Sequence, residues 1–467
     1  MKSITRQGTA PVGRLLLQYS LPAVAAFLSN AIYQFVDRIM VGRGLGTEAM
    51  AAVTCVYPLT ILTMGVGLLL GTGTGTKIST FLGQDRKDDA EAVLGQSVRM
   101  ALMYGTILAA ALIVFARPIL LLSGAEGAVL ELAIPFLRVT AVGQAFLIAI
   151  VSMGNILRVQ GRPGLGLVFM GTGNVVNGLL VYMAIFVLDW GVTGVALATT
   201  VTIALNAAAF VAFVQSRHSL LHIQRRHLGA NPEIARSILK FGAPILMMQA
   251  LGMVVFQAAN HGALALGGPR GVAMVGVINT VSMLLIFPLL GVAQAMQPLI
   301  AYNRGAGNFD RVRTILGLTL AWTLGMGVCF SGAVLLAPGP VAALFSRTDI
   351  QLIALVKDGL PWFMASVVLF GVQGTASHYF LSIQQPGKAG ILLMGRQILA
   401  IPLFVILPRL WGYQGLYLVA MLSDIPLALA AAWMLRQEWI KLGKQADTAT
   451  AGGEQAERTA PIDRSST

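Results

Sequence analysis

The sequence predicts an all-α integral membrane protein, with twelve transmembrane helices in two six-helix bundles related by a pseudo-twofold axis. Three observations carry that reading. Of 467 residues, 56% are hydrophobic and only 11% charged, less than half the charged share of ordinary soluble domains. The apolar runs between charge clusters have the length, about 20 residues, that crosses a bilayer. The chain also repeats itself at an offset of 221 to 223 residues.

Cutting the apolar runs at charge clusters and Pro/Gly turns gives spans at 15–41, 49–76, 93–116, 132–157, 164–188, 191–215, 235–265, 272–302, 314–337, 353–383, 389–408 and 413–435. The first is too long for a signal-peptide core and is followed by many more spans, so it is expected to stay in the chain. An even number of spans puts both termini on one side. The termini, the even-numbered loops and the span ends beside them hold 23 of the 32 Lys and Arg. The odd loops hold seven, and Arg138 and Arg396 lie inside spans. The positive-inside rule then makes both termini cytoplasmic, in a multi-pass protein of a bacterial-type inner membrane. The same rule accounts for the net charge of +13, so no nucleic-acid partner is expected. Cys55 and Cys329 sit in apolar runs and suggest neither a disulfide framework nor a metal site.

The repeat divides the chain. Pro22 answers Pro244, Leu45-Gly46 answers Leu266-Gly267, Asp88 answers Asp310, Leu94-Gly95 answers Leu316-Gly317, and Trp190-Gly191 answers Trp411-Gly412. The expected organisation is an N-terminal segment at 1–14, an N-lobe at 15–215, a basic linker at 216–234, a C-lobe at 235–441 and a disordered tail at 442–467. Six spans per half give both lobes the same orientation, and duplicated bundles of this kind bind substrate between their halves. Pro22, Pro244, Pro288, Pro298, Pro361, Pro402 and Pro426 within spans permit helix kinks. The glycine run from Gly65 to Lys77 is no phosphate loop, because Gly-Lys-Ser/Thr is missing and no strand precedes it. Close helix contact explains it better.

A carboxylate inside a span costs about 2.5–3.5 kcal/mol on insertion scales and so calls for a reason. Asp37 is the foremost case, deep in the first span, and its counterpart in the repeat is Ala259. One-sided placement in a duplicated scaffold suggests an ion-coupling site in the N-lobe. Asn174 and Asn177 on the fifth span, and Thr199, Thr200 and Thr202 on the sixth, supply polar oxygens that can converge on it. Asp424 and Arg396 are expected to form a structural ion pair, and Arg138 is a further charge expected to be buried. His261 and His378 lack ligand spacing, and no metal site is expected. Tyr33, Phe35, Met253 and Phe287 are candidates to line a substrate cavity, because aromatic faces and polarizable thioethers suit amphipathic cations.

Four segments carry a resemblance over nearly the whole chain: LPAVAAFLSNAIYQFVDRIMVGRGLG, NILRVQGRPGLGLVFMGTGNVVN, PLLGVAQAMQPLIAYNRGAGNFDRV and IQQPGKAGILLMGRQILAIPLFVILPRLWGYQG. In order and spacing they resemble the multidrug and toxic compound extrusion (MATE) family, in its DinF/MepA-like branch. The resemblance implies a V-shaped pair of lobes, no cofactor, and export of amphipathic, often cationic drugs in exchange for protons or sodium. It sets the coupling carboxylate on Asp37, its fifth-span Asn on Asn177 and its sixth-span Thr on Thr199. Where some members carry a further acid, this chain has Val181 and Gly252. Fewer hard oxygen ligands weaken sodium coordination, so H+ is the expected coupling ion and Na+ the less favoured one.

The expected function is therefore proton-coupled antiport of small organic cations by a monomer in the lipid bilayer. Three alternatives stand beside it. A flippase or exporter of a lipid-linked or anionic metabolite is opposed by the sparse charge of the spans. A membrane enzyme acting on lipids is opposed by the lack of HExxH, paired His and Asp, or a nucleophile elbow. A receptor or scaffold would carry no flux.

Overall fold

A computed structural model describes residues 2–123, 125–343 and 349–459. Its helices are α1 (Lys2–Thr9), α2 (Val12–Gly83), α3 (Lys87–Val114), α4 (Ala116–Leu122), α5 (Gly127–Val159), α6 (Pro163–Phe186), α7 (Gly191–Gln215), α8 (Pro232–Gly305), α9 (Phe309–Leu336), α10 (Pro338–Ala343), α11 (Ile350–Ser382) and α12 (Pro386–Thr459), and no strand occurs among the described residues. Helix closes every backbone hydrogen bond within the segment, which a chain in hydrocarbon requires. Three of the helices are hairpins of two arms. α2 breaks at Gly46, α8 at Gly267 and Gly268, and α12 at Trp411 and Gly412. In α12 a Cβ on Gly415 would stand 2.1 Å from the Leu407 carbonyl oxygen, eight positions back. A straight helix would hold those residues about 12 Å apart. Among the described residues, eleven helical stretches are long and apolar enough to span a membrane, and the last, Pro386–Gln445, contains both arms of α12. Twelve crossings result, as the sequence predicts. The final helix runs on to Thr459, through most of the segment expected to be disordered. Its Ala, Gln, Glu and Lys content suits a helix.

The duplication is written into the backbone. Left-handed residues recur in pairs at the sequence offset: Gly46 (φ 83°) with Gly268 (57°), Asp85 (59°) with Gly307 (75°), Gly161 (78°) with Gln384 (60°), and Gly191 (58°) with Gly412 (56°). Each sits at a reversal between spans, where the chain needs a positive φ that only Gly adopts freely.

Among the described residues, four apolar cores hold the molecule, and their membership gives its shape. On the side away from the termini, one core joins Val41, Ala52 and Leu137 to Val181 and Val195, drawing on the N-lobe alone. A second joins Ala263, Ile278 and Leu360 to Leu407 and Val419, drawing on the C-lobe alone. On the side of the termini the cores are mixed. Leu15, Leu16 and Tyr19 of the N-lobe enter the core around Leu299, Tyr379 and Leu392, and Ile238 of the C-lobe enters the core around Leu70, Leu94 and Ile156. The lobes thus fuse on the terminal side and part on the far side. Large apolar side chains such as Leu21, at 65% exposure, and Leu429, at 67%, turn outward, as a lipid-facing surface requires.

Candidate functional site

Backbone contact seals the terminal side. The second arm of α2 lies against both arms of α8 so closely that a Cβ on Gly242 would fall 2.0 Å from the Leu69 carbonyl oxygen, and one on Gly83 would fall 2.2 Å from that of Tyr302. No side chain fits there, which is why small residues recur along this seam. Hydrogen bonds cross it as well. Gln384 Nε2 donates to Thr80 Oγ1 at 3.0 Å. The buried Gln7 of α1 donates to the Val159 carbonyl of the N-lobe at 3.1 Å, while its own carbonyl accepts from Asn303 and Arg311 of the C-lobe at 3.0 and 3.2 Å.

Moving away from the termini, the seam ends at mid-depth. Phe27 of α2 stacks on Phe287 of α8, with ring centroids 5.6 Å apart, and Gly65 meets Leu246 and Gln249. Beyond this floor the lobes have separate cores and a cleft opens between them. Met253 lies one turn past Gln249, on the same face of α8 as Gln249 and Leu246, and is half-buried. The Phe35 side chain lies outside those described.

The carboxylate sits behind the other wall. Tyr33 and Asp37 are one turn apart on the first arm of α2, on one helix face. That face turns into the N-lobe toward α6. The Tyr33 hydroxyl donates to Oδ1 of the buried Asn177 at 2.7 Å. One turn before Asn177, Asn174 Nδ2 donates to Ser29 Oγ at 3.3 Å. Tyr33, expected as a cavity ring, joins this polar group through its hydroxyl, a role that its spacing of four from Asp37 could have signalled.

The sixth-span hydroxyls stand differently. Thr199 donates to the Val195 carbonyl of its own helix at 3.0 Å, and Thr202 likewise to Ala198 at 2.8 Å. Thr200 ties α7 to α5 through the Val139 carbonyl at 3.1 Å. Val181 is fully buried in the N-lobe core, so no acid accompanies Asn177 one turn on. Gly252 faces Gln397 Nε2, again without an acid. No group of three or more His, Cys, Asp or Glu is arranged to hold a metal among the described residues.

Of the other charges inside spans, Asp424 is fully buried and paired with Arg396, and its second oxygen accepts from Ser366. The expected ion pair is formed. Arg138, in contrast, is exposed on α5, because its neighbours Leu137 and Ala141 take the core-facing positions. His261 is exposed, and the buried His378 bonds the Gly374 carbonyl of its own helix through Nδ1 at 2.8 Å.

This architecture has close relatives. The family model described as MatE matches residues 22–183 and 244–406, one match in each lobe. The chain is 24% identical over 422 residues to the multidrug export protein MepA of Staphylococcus haemolyticus, covering 90% of this chain and 93% of that protein. It is 25% identical over 429 residues to MepA of Staphylococcus aureus, with the same coverage. Among solved structures, it superposes with a TM-score of 0.88 on a multidrug resistance MATE family transporter in an outward-facing conformation, at 23% identity over 95% of this chain and 99% of that one. A MOP superfamily transporter from Pyrococcus furiosus gives 0.87 at the same identity and coverage.

Proposed function

The chain belongs to the MatE family, whose relatives described above are transporters, and on that premise we propose that it exports amphipathic, often cationic drugs by antiport against protons. Membership in a transporter family sets aside the reading as a lipid-modifying enzyme. With both termini cytoplasmic, as the distribution of Lys and Arg indicates, the cleft opens outward from an inner membrane. Cargo is released from this state.

The observation that carries the coupling assignment is the hydrogen bond from Tyr33 to Asn177, one turn from Asp37 and behind the cleft wall. A carboxyl among apolar helices binds a proton more readily than one in water. Asp37 takes a proton from the outside while the cleft is open. Neutral Asp37 lets the first arm of α2 repack against α6, and the narrowed cleft expels the drug. The proton leaves once the terminal side opens. Asn174 and Asn177 hold the polar neighbours of the acid, and Thr199 lines the adjacent helix with its hydroxyl oxygen still able to accept a bond. Met253 and Phe287 contact the drug.

Proton coupling is favoured over sodium because Val181 and Gly252 occupy the positions where further acidic ligands would stand, and hard cations need several oxygens. Exchange of one proton for one monovalent cation moves no net charge, so the pH difference alone would drive it. The working unit is a monomer, since each chain contains both lobes and the cleft. Purified protein in vesicles, loaded with a fluorescent organic cation and given pH and sodium gradients separately, tests the reading. Efflux driven by the pH gradient and lost in Asp37→Asn is expected, whereas sodium-driven efflux would replace H+ with Na+.

A further inference from the structure

A half-buried cationic group lies in the seam between the lobes with no acid among the described residues paired to it. Arg158, next to the end of α5, donates through Nη1 to Gln294 Oε1 of the C-lobe at 3.1 Å and through Nη2 to Asn155 Oδ1 at 2.5 Å. Both acceptors are neutral amides. Among the described residues no carboxylate lies within ion-pair distance of Arg158. A guanidinium keeps its charge under these conditions and has five N–H donors to satisfy.

Beside it is a small cavity, lined by Gly71, Thr72 and Thr76 of α2, Arg158 of α5 and Gln297 of α8. Gln297 is only 9% exposed, and its buried Nε2 has no acceptor. Buried donors are otherwise nearly always paired. The cavity wall thus combines a full positive charge, an orphaned amide donor and two hydroxyls that can also donate, and no acidic residue lines it. A cation would be repelled. Water satisfies one or two donors but leaves the charge. The chemistry fits an acceptor that is negative, small and undemanding in geometry.

We propose that this cavity binds a small monovalent anion of the size of chloride, held between Arg158 and Gln297. The site draws α2 and α5 from one lobe and α8 from the other, on the terminal side of the Phe27–Phe287 floor. It exists whole only while the lobes are closed there. The anion therefore stabilises the state seen here and is released when the terminal side opens, so that halide concentration shifts the balance between the two states. None of this depends on how Asp37 is coupled.

The test is direct. Crystals of the full chain grown in bromide should give an anomalous peak in contact with the Arg158 guanidinium and Gln297 Nε2. In detergent, the melting temperature should rise saturably with sodium bromide against sodium gluconate at constant ionic strength. Gln297→Leu should raise the half-saturating bromide concentration at least tenfold, and Arg158→Gln should abolish the response. If Arg158→Gln does not fold, Gln297→Leu and the diffraction experiment decide. A cavity filled by water without an anomalous peak, or a bromide response unchanged in Gln297→Leu, overturns the proposal.

Discussion

The Tyr33 hydroxyl and Asn177 Oδ1, 2.7 Å apart and separated by 144 positions in the chain, join the first and fifth spans one turn from Asp37. This bond fixes which way the carboxylate-bearing face of α2 looks. Loss of a buried bond of this kind costs about 0.5–1.5 kcal/mol. Tyr33→Phe is accordingly expected to leave insertion intact and to slow pH-driven efflux by about threefold to tenfold, a range that follows from that energy. Asn177→Ala should do at least as much, because it leaves Tyr33 without an acceptor. Initial efflux rates in proteoliposomes at several external pH values check both.

The seam between α2 and α8 should behave as a close-packed gate. At Gly242 and Gly83 the opposing carbonyls leave no space for a side chain. Gly242→Val or Gly83→Val should push the lobes apart on the terminal side and populate the opposite state. Spin-label distances across that side are expected to lengthen in both variants, while Gly154→Val, with nothing near its Cβ, should leave them unchanged.

The Asp424–Arg396 pair is buried on the acid's side, where Ser366 donates to the second carboxylate oxygen. Removing one partner of such a pair typically costs about 3–5 kcal/mol, because it strands a charge. Arg396→Met alone, which strands the fully buried Asp424, should lower the melting temperature markedly, and Arg396→Met with Asp424→Leu should recover most of the loss. Thermal unfolding followed by intrinsic fluorescence in detergent measures both.

Outside the spans, Asp349 precedes α11 and accepts from the Leu352 N–H at 3.1 Å and from Arg270 Nε at 3.0 Å. The Leu352 N–H first, and Arg270 after it, hold this carboxyl below the usual carboxylate range. A depressed value in the folded state means a contribution that is full above the ordinary carboxylate range and lost as pH falls through the folded value. Protection factors at the start of α11, which divide out the intrinsic pH dependence of exchange, should therefore fall on acidification in the wild type. In Asp349→Ala they should already be low at neutral pH and change little with acid.

Much of this was legible in the residues. Span number followed from charge spacing, and the duplication followed from pairs such as Gly191 and Gly412, which turn out to share a backbone conformation. Pairing of Asp424 with Arg396 was readable because charges in hydrocarbon must find partners. Other features were hidden by helical geometry. Which face of α2 brings the Tyr33 hydroxyl to Asn177 depends on helix rotation, and rotation is set by packing against α6. Arg138 lies inside an apolar run yet outside the core, since a run of apolar residues does not reveal which side of the helix meets neighbours. The mixing of the lobes' cores on one side only, which gives the molecule its cleft, depends on tertiary contacts between residues such as Leu16 and Tyr379 that no local pattern encodes.

The most direct measurement compares wild type with Asp37→Asn in vesicles carrying an imposed pH gradient, with accumulation of a fluorescent organic cation as the readout. The account predicts drug movement against its gradient in the wild type and only downhill leakage in Asp37→Asn, with equal amounts of folded protein in both membranes. Uphill, pH-dependent transport by Asp37→Asn at the wild-type rate would contradict it.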